Sequence, residues 1–229
     1  MIPMLILYLL KKIKSGSRFT KKLTFIKRLA VKLGMLSMLF VVTVSHANDK
    51  KPIKKISYNV VRNHTVIGTI NVSCDVGNGS TIYSLESDIN VKFILHFSIK
   101  GEETSIYKNG ILIHSSVFRK VNNKVKADHD VVYKNQNYHL ENSETTKKLS
   151  LKAIQDNLVM LYFKEPKTIK SVYCDYIKRM AKVEALAEGV YKVDFLDGKY
   201  NIFYYENGKC VKVEANSSMF SVTLIPAKS

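Results

Sequence analysis

Hydrophobic and polar residues alternate with a period of two along most of the chain beyond residue 55. Between Thr65 and Val76, for example, Val66, Ile70 and Val72 fall on one face, and mostly polar or small residues fall on the other. This alternation is typical of strands with one buried face. It predicts strands over Lys55–Arg62, Thr65–Val76, Thr81–Val91, Lys92–Tyr107 (one strand, or two around a bend), Ile111–Val121, Lys124–Tyr133, Tyr138–Leu140, Thr168–Asp175, Arg179–Ala187, Gly189–Leu196, Lys199–Glu206, Lys209–Ala215 and Met219–Ile225.

Tight turns join these predicted strands. Asn109-Gly110, Asp197-Gly198 and Asn207-Gly208 favour the two-residue turns of β-hairpins, and Asn63-His64 and Asn122-Asn123 are similar. Because long crossovers are missing, the sequence predicts an all-β fold: an antiparallel meander that forms a curved sheet or a partly closed barrel. A β-sandwich is the alternative.

The segment 143–161 departs from the alternation, because Leu149, Ala153, Ile154 and Leu158 recur at helical spacing. This segment is predicted to contain the one short helix of the domain.

The first 47 residues carry a secretory signal pattern. A basic stretch from Lys21 precedes an apolar run of about a dozen residues, and Ser45-His46-Ala47 supplies a small-x-small cleavage site. The apolar run is shorter than the ~20 residues of a spanning helix, so an uncleaved anchor is the alternative. Residues 1–20 add a second apolar run, which either an over-extended start codon or an extra interfacial segment would explain.

The predicted organisation is therefore a signal peptide at 1–47, a polar linker at 48–55 and a single antiparallel β domain at 56–229. The predicted location is periplasmic or secreted after cleavage near Ala47, or membrane-anchored if the signal segment is retained.

The net charge of +17 would by itself suggest a nucleic-acid binder. Residues 1–47 contain nine basic residues and no acidic ones, which leaves 27 basic and 19 acidic residues and a net charge of +8 on the rest. Basic and aromatic residues interleave near Tyr176 and Tyr204, but lysines on an exposed sheet face explain that pattern. We predict no nucleic-acid partner, and membrane contact only through the signal segment.

The sequence contains no recognisable set of catalytic residues. On a strand, Asp128 and Asp130 would point to one face and His129 to the other, so the three cannot hold one metal ion. Nucleophile and phosphate-loop motifs are absent. We predict that the protein is not an enzyme and that it uses no metal or cofactor. At most one disulfide can form among its cysteines, Cys74, Cys174 and Cys210.

Three blocks of sequence resemble a family of exported bacterial β-rich proteins known only as a domain of unknown function. The blocks are ISYNVVRNHTVIGTINV from Ile56, ETSIYKNGILIHSS from Glu103 and KYNIFYYENGKCVKVEAN from Lys199. The resemblance implies a signal peptide, a periplasmic or secreted location and a curved antiparallel sheet with some likeness to lipid-carrier barrels. It brings no catalytic residues.

Two functions are predicted from these features. The first is a non-catalytic carrier of an apolar small molecule or lipid, held inside the curved sheet. The alternative is a structural or interaction protein of the cell envelope that binds anionic surfaces. The same alternation would describe a filled core, so a hollow and a filled interior both stay open. The predicted ligand-lining residues are Val66, Ile70, Val72, Leu85, Ile89, Val193 and Phe195.

Overall fold

The computed structural model describes residues 52–92, 96–217 and 221–228, which form one antiparallel sheet of 14 strands. This confirms the predicted fold class, an all-β antiparallel meander in one curved sheet. The predicted signal peptide and its cleavage site at Ala47 lie outside the described residues. The strands are β1 (Lys54–Arg62), β2 (Thr65–Gly77), β3 (Ser80–Lys92), β4 (His96–Lys108), β5 (Ile111–Val121), β6 (Lys124–Lys134), β7 (Asn137–Glu141), β8 (Thr146–Leu149), β9 (Ser171–Cys174), β10 (Arg179–Ala187), β11 (Val190–Asp194), β12 (Tyr200–Glu206), β13 (Lys209–Asn216) and β14 (Ser221–Pro226).

Neighbouring strands of the sheet are consecutive in sequence at every position but one. From one edge to the other, the strand order runs from β8 back to β1 and then from β14 back to β9. The pairing of β1 with β14 therefore joins the first and last strands in the middle of the sheet, with Val60 opposite Leu224. The two edges of the sheet are β8 and β9.

The predicted hairpin turns form with left-handed backbone at both central positions. Asn109 and Gly110 have φ values of 51° and 74°, and Asn207 and Gly208 have 50° and 74°. Positive φ at both positions gives the turn whose twist matches that of the flanking strands. Asn and Gly adopt this conformation at a low cost in free energy, which explains why the turn positions could be predicted from the sequence.

The one short helix predicted within residues 143–161 is confined to the end of that segment, and the spacing from Leu149 to Leu158 does not form a helix. Thr146–Leu149 forms β8, and Val159–Tyr162 forms a 3₁₀ helix of 4 residues, the one helical element of the described chain. The backbone between them bonds to other strands: Ile154 accepts a hydrogen bond from the Leu112 amide at 2.9 Å.

Residues 150–162, here called the inner strap, cross the interior of the curved sheet. The Ile154 amide donates to the Tyr138 hydroxyl at 3.0 Å, and that hydroxyl donates to the Leu112 carbonyl at 2.9 Å. The Leu158 amide donates to the Tyr173 carbonyl of β9 at 2.9 Å. The strap thus ties β5 and β7 to β9, and the polar groups of its buried backbone find partners.

Strand β9 separates two hydrophobic clusters. Val172 and Cys174 face the larger cluster, whereas Tyr173 faces the smaller one with Leu112 and Tyr138. All of these side chains are at most 2% exposed. The interior is therefore filled by β9 and the inner strap, which decides the question of a hollow or a filled sheet in favour of a filled one.

A close approach between β2 and β3 depends on Gly68. A Cβ at this position would lie 2.3 Å from the Asp88 carbonyl oxygen and 2.6 Å from the Ile89 Cα, far inside van der Waals contact. The register of β1 against β2 shifts next to this point, between Val60 and Val61. Glycine here permits the close approach of the two backbones that accompanies the bulge.

Candidate functional site

A buried polar cluster lies where β9 ends against β4 and β5. The Ser115 hydroxyl donates to the Asp175 carboxylate at 2.9 Å, and it lies 3.4 Å from the Ser105 hydroxyl. The Asn157 amide group donates to the Ser105 hydroxyl at 2.8 Å. These four residues are at most 5% exposed. The cluster therefore fixes the inner strap and β9 to the opposite wall of the sheet.

Two carboxylates share this region. Burial, and after it the charge of the nearby Glu103, raise the pKa of Asp175 to about 7, although the hydrogen bond from Ser115 and the charge of Lys178 oppose this rise. Burial also raises the pKa of Glu103, although the Arg119 guanidinium at 3.0 Å opposes this rise. The cluster is enclosed, so it offers a substrate no access, and its chemistry is that of a structural contact.

An accessible candidate site exists where β14 ends early. Pairing of β14 with β1 begins at Tyr58, and pairing with β13 begins at Val213. The first residues of β1 and of β13 therefore continue past Pro226 without β14 between them. The resulting gap in the sheet wall, here called the notch, is lined by Lys54, Lys55, Ile56, Tyr162, Phe163, Gly208, Lys209, Cys210, Val211 and Pro226.

The notch has an apolar and aromatic floor. Tyr162 packs edge-on against Tyr58 at a ring-centroid distance of 5.4 Å, and against Phe203 at 5.6 Å. Phe163 lies 5.8 Å from the ring of Tyr83. The deep side is closed by the Tyr58 hydroxyl, which donates to the Cys210 carbonyl at 3.1 Å. The floor is thus held by contacts with both β1 and β13.

The rim of the notch is cationic. Lys54, Lys55 and Lys209 are exposed, and none of them forms an ion pair with another described residue. Among the described residues that line the notch there is no carboxylate. Its volume is about 510 Å³, within the range of about 300–1,000 Å³ that is usual for small-molecule sites.

A neighbouring cavity of about 700 Å³ has a different character. Glu165 and Glu188 line it, and Glu165 accepts a hydrogen bond of 2.9 Å from the Tyr191 hydroxyl. Its polar and acidic walls do not favour an apolar ligand. The notch is thus the better site for an apolar or amphiphilic ligand.

The seven residues predicted to line a ligand lie in different surroundings. Val72 is 1% exposed and Val193 is 0% exposed, both within the larger cluster, and Val66 is 55% exposed. The bulge beside Val60 explains this exposure, because it places Val66 opposite Val61 on the outer face of β2. The other four are partly buried against the larger cluster: Ile70, Leu85, Ile89 and Phe195. Their ligand-lining role stays a prediction, and none of the seven lines the notch.

The notch residues were missed from the sequence for a physical reason. Lys54 fell in the predicted linker 48–55 and Lys55 at the boundary of that linker with the first predicted strand, whereas β1 begins at Lys54. Lys209 and Cys210 looked like ordinary residues after a hairpin turn. Only the position of Pro226, which cannot donate a backbone hydrogen bond, signalled in the sequence that β14 would end there.

The other chemical candidates remain separate in space. His129 lies on the inner face of β6, whereas Asp130 on the outer face contacts His114 at 3.1 Å. No three His, Cys, Asp or Glu side chains of the described chain converge as metal ligands. Cys74, Cys174 and Cys210 are buried free thiols. Over residues 52–92, 96–217 and 221–228, no helix is long and apolar enough to cross a bilayer.

One solved structure that is similar to this chain is the crystal structure of a beta-barrel-like protein of the domain of unknown function DUF1849 from Brucella abortus. The two share 13% sequence identity with a TM-score of 0.49, and the match covers 77% of this chain and 96% of that one. A search of curated proteins found no match.

A family model described as Domain of unknown function (DUF6134) matches residues 58–227. The matched span begins within β1 and ends just after β14, so it includes nearly the whole described sheet. It confirms the coarser part of the resemblance, a β-rich family of unknown function, while export stays a prediction. Because the match covers more than half of the 229 residues, the chain belongs to the DUF6134 family.

Proposed function

We propose that the protein is a non-catalytic carrier that binds an anionic amphiphile, such as a long-chain carboxylate, in the notch. One observation carries the proposal: an apolar cavity of about 510 Å³ is surrounded by Lys54, Lys55 and Lys209, which have no ion-pair partner among the described residues. Charged hydrogen bonds from the lysine ammonium groups would hold the carboxylate of the ligand, and the aromatic floor would bury part of its alkyl chain.

The filled interior favours the notch over a ligand site inside the sheet. A ligand inside the curved sheet would have to displace the inner strap, whose Ile154 and Leu161 are at most 1% exposed. Displacing them would expose apolar surface and break the buried hydrogen bonds of Tyr138 and Asn157. Binding in the notch requires neither change.

Export is the second part of the proposal. The signal pattern in residues 1–47 supports a periplasmic or secreted location, where a carrier would meet lipid-derived carboxylates. Cell fractionation of the native chain, with mass determination of its N-terminus, tests this part independently of ligand binding. Material that begins near Asn48 is expected in the exported fraction, and an intact, cytosolic chain would contradict export.

Ligand binding is tested with a fluorescent acid and its neutral counterpart. The protein should enhance the emission of 11-(dansylamino)undecanoic acid, and it should bind the methyl ester about tenfold more weakly, because the ester lacks the charge. The triple variant K54Q/K55Q/K209Q should lose this discrimination. The control variant K147Q/K148Q/K152Q removes three lysines at and after β8 and should keep it. Equal binding of acid and ester by the unmodified protein would refute the proposal.

A further inference from the structure

A second surface lies at the end of the sheet opposite the notch, at the turn between β9 and β10. Tyr176 in this turn is 53% exposed, and Leu196 in the turn between β11 and β12 is 37% exposed. The Lys199 ammonium donates to the Tyr176 hydroxyl at 3.2 Å, which connects the two turns. The surface formed by Arg119, Tyr176, Lys178, Leu196 and Lys199 is here called the tyrosine tip.

Two cations lie close to the exposed ring of Tyr176. The Lys199 ammonium lies 5.4 Å from the centroid of the Tyr176 ring, and the Arg119 guanidinium carbon lies 5.8 Å from it. Such cation–π contacts hold an aromatic ring in place although it is exposed to solvent. These two contacts and the hydrogen bond from Lys199 restrain the exposed ring.

The turn that carries the ring is held by a backbone hydrogen bond and by a contact with the core. The Lys178 amide donates to the Cys174 carbonyl at 2.8 Å, with Lys178 in the left-handed conformation at φ 54°. Ile177 packs against the larger hydrophobic cluster. Tyr176 is therefore exposed by a hairpin that is anchored in the core.

This end of the sheet is basic. Lys120, Lys124 and Arg179 lie in the same set of strand ends and turns as the three cations of the tip. The acidic groups nearby are the exposed Asp128 and Asp197, the buried Asp175, Asp194, which is paired with Lys192, and Glu103, which is paired with Arg119. Cations therefore outnumber the exposed carboxylates of these turns, which favours an anionic partner.

We propose that the tyrosine tip docks the protein on an anionic lipid bilayer, with Tyr176 and Leu196 at the level of the headgroups and the surrounding cations on the lipid phosphates. Tyrosine has the amphipathic character of residues at membrane interfaces, and juxtaposed Lys and Arg side chains are attracted to anionic lipids. The proposal adds a contact to the membrane association predicted from the signal segment, and it does not depend on ligand binding in the notch.

A single tryptophan tests this docking, because the chain contains no Trp of its own. The variant Leu196→Trp in the full chain should show a blue-shifted emission with vesicles of 70% phosphatidylcholine and 30% phosphatidylglycerol, and no shift with pure phosphatidylcholine. The matched control is Leu186→Trp, a position that is 49% exposed towards the other end of β10. Its emission should stay unchanged, even where residues 1–47 hold the chain on the vesicle.

A charge reversal then tests the electrostatic part. Lys199→Glu in the Leu196→Trp background should weaken docking of the tip about thirtyfold, measured as the ratio of blue-shifted to unshifted emission on anionic vesicles, because each basic charge near an anionic surface contributes to binding. Lys108→Glu makes the same change of charge at the notch end of the sheet and should have little effect. Lys199→Glu should leave binding of the dansyl acid unchanged, so that failure of docking and failure of the carrier proposal are distinguishable.

The proposal is overturned by any of three results. These are an unshifted spectrum of Leu196→Trp with anionic vesicles, an equal shift of Leu186→Trp, and an equal effect of Lys108→Glu and Lys199→Glu. Thermal unfolding of each variant establishes that a lost signal does not come from a lost fold.

Discussion

The Ser115 hydroxyl on β5 donates a hydrogen bond of 2.9 Å to the carboxylate of Asp175, which lies 60 residues later, just after β9. Both side chains are at most 5% exposed. This contact connects two distant parts of the sheet through its interior, and the inner strap joins it through Asn157 and Ser105. The cluster is thus one of the contacts that hold the inner strap and β9 in the interior of the sheet.

Removing the Ser115 hydroxyl should destabilise the fold. Ser115→Ala leaves the buried Asp175 carboxylate without this donor, so we expect the free energy of unfolding to fall by about 1–3 kcal/mol. Urea denaturation at pH 8 measures the change. The control is Ser116→Ala, whose side chain lies on the other face of β5, and it should change stability by less than about 0.5 kcal/mol. Equal losses of stability in the two variants would contradict a stabilising role of the buried polar cluster.

Stability should depend on pH through Asp175. Its pKa is raised from 3.8 to about 7 by burial and by Glu103, so the folded protein keeps a proton that the unfolded chain releases in this interval. The contribution of Asp175 to the free energy of unfolding should therefore decrease as pH rises from about 4 to 7, and level off above 7.

Asp175→Asn supplies the comparison for this pH effect. The variant cannot ionise at this position, so the stability of the unmodified protein relative to the variant should fall between pH 5 and pH 8. Urea denaturation at both pH values measures this difference. If both proteins changed by the same amount, the proton bound at Asp175 would not be the cause.

The approach of β2 to β3 should not tolerate a side chain at Gly68. A methyl group there would lie 2.3 Å from the Asp88 carbonyl oxygen, and backbone must move to relieve the overlap. We expect Gly68→Ala to cost about 1–3 kcal/mol or more in thermal or urea unfolding. Gly77→Ala is the matched control in the same strand, because a Cβ at Gly77 meets nothing within 4 Å. A loss of stability at Gly77 as large as that at Gly68 would contradict the steric explanation.

The three thiols should react slowly in the folded protein. Burial raises the pKa of Cys174 and of Cys210 to about 11, and it also raises the pKa of Cys74. Because the thiolate is the reactive form, iodoacetamide at pH 8 should modify the folded protein far more slowly than the urea-unfolded chain. Mass spectrometry should show three additions after unfolding without reductant. A final count of one would reveal a disulfide and contradict the free thiols of the structure.

The local part of the fold was predictable because it depends on short-range chemistry. Pairs such as Asn109-Gly110 and Asn207-Gly208 adopt left-handed backbone at low cost, so hairpins could be located from dipeptides. Alternation failed at Val66, because a bulge shifts the register by one residue and reverses the face. Gly68, two residues later, is the local sign of that bulge.

The interior and the notch were not predictable, since both depend on contacts between distant segments. Ile154 has the spacing of a helical residue, yet its backbone is bonded to Leu112 and Tyr138 across the sheet. The notch exists because β14 ends before the strands on either side of it. The notch therefore depends on how β1, β13 and β14 pair with one another, and no single stretch of sequence determines that pairing.

The central claim, that the ligand binds in the notch and not inside the filled sheet, is tested most directly by methyl NMR. In protein with ¹³C-labelled Ile and Val methyl groups, titration with dodecanoate should shift the resonances of Ile56 and Val211, which line the notch. Those of Val172 and Val193, which are 0% exposed in the core, should stay in place. Saturable shifts of Val172 and Val193 without shifts of Ile56 and Val211 would contradict the account and place the ligand in the interior.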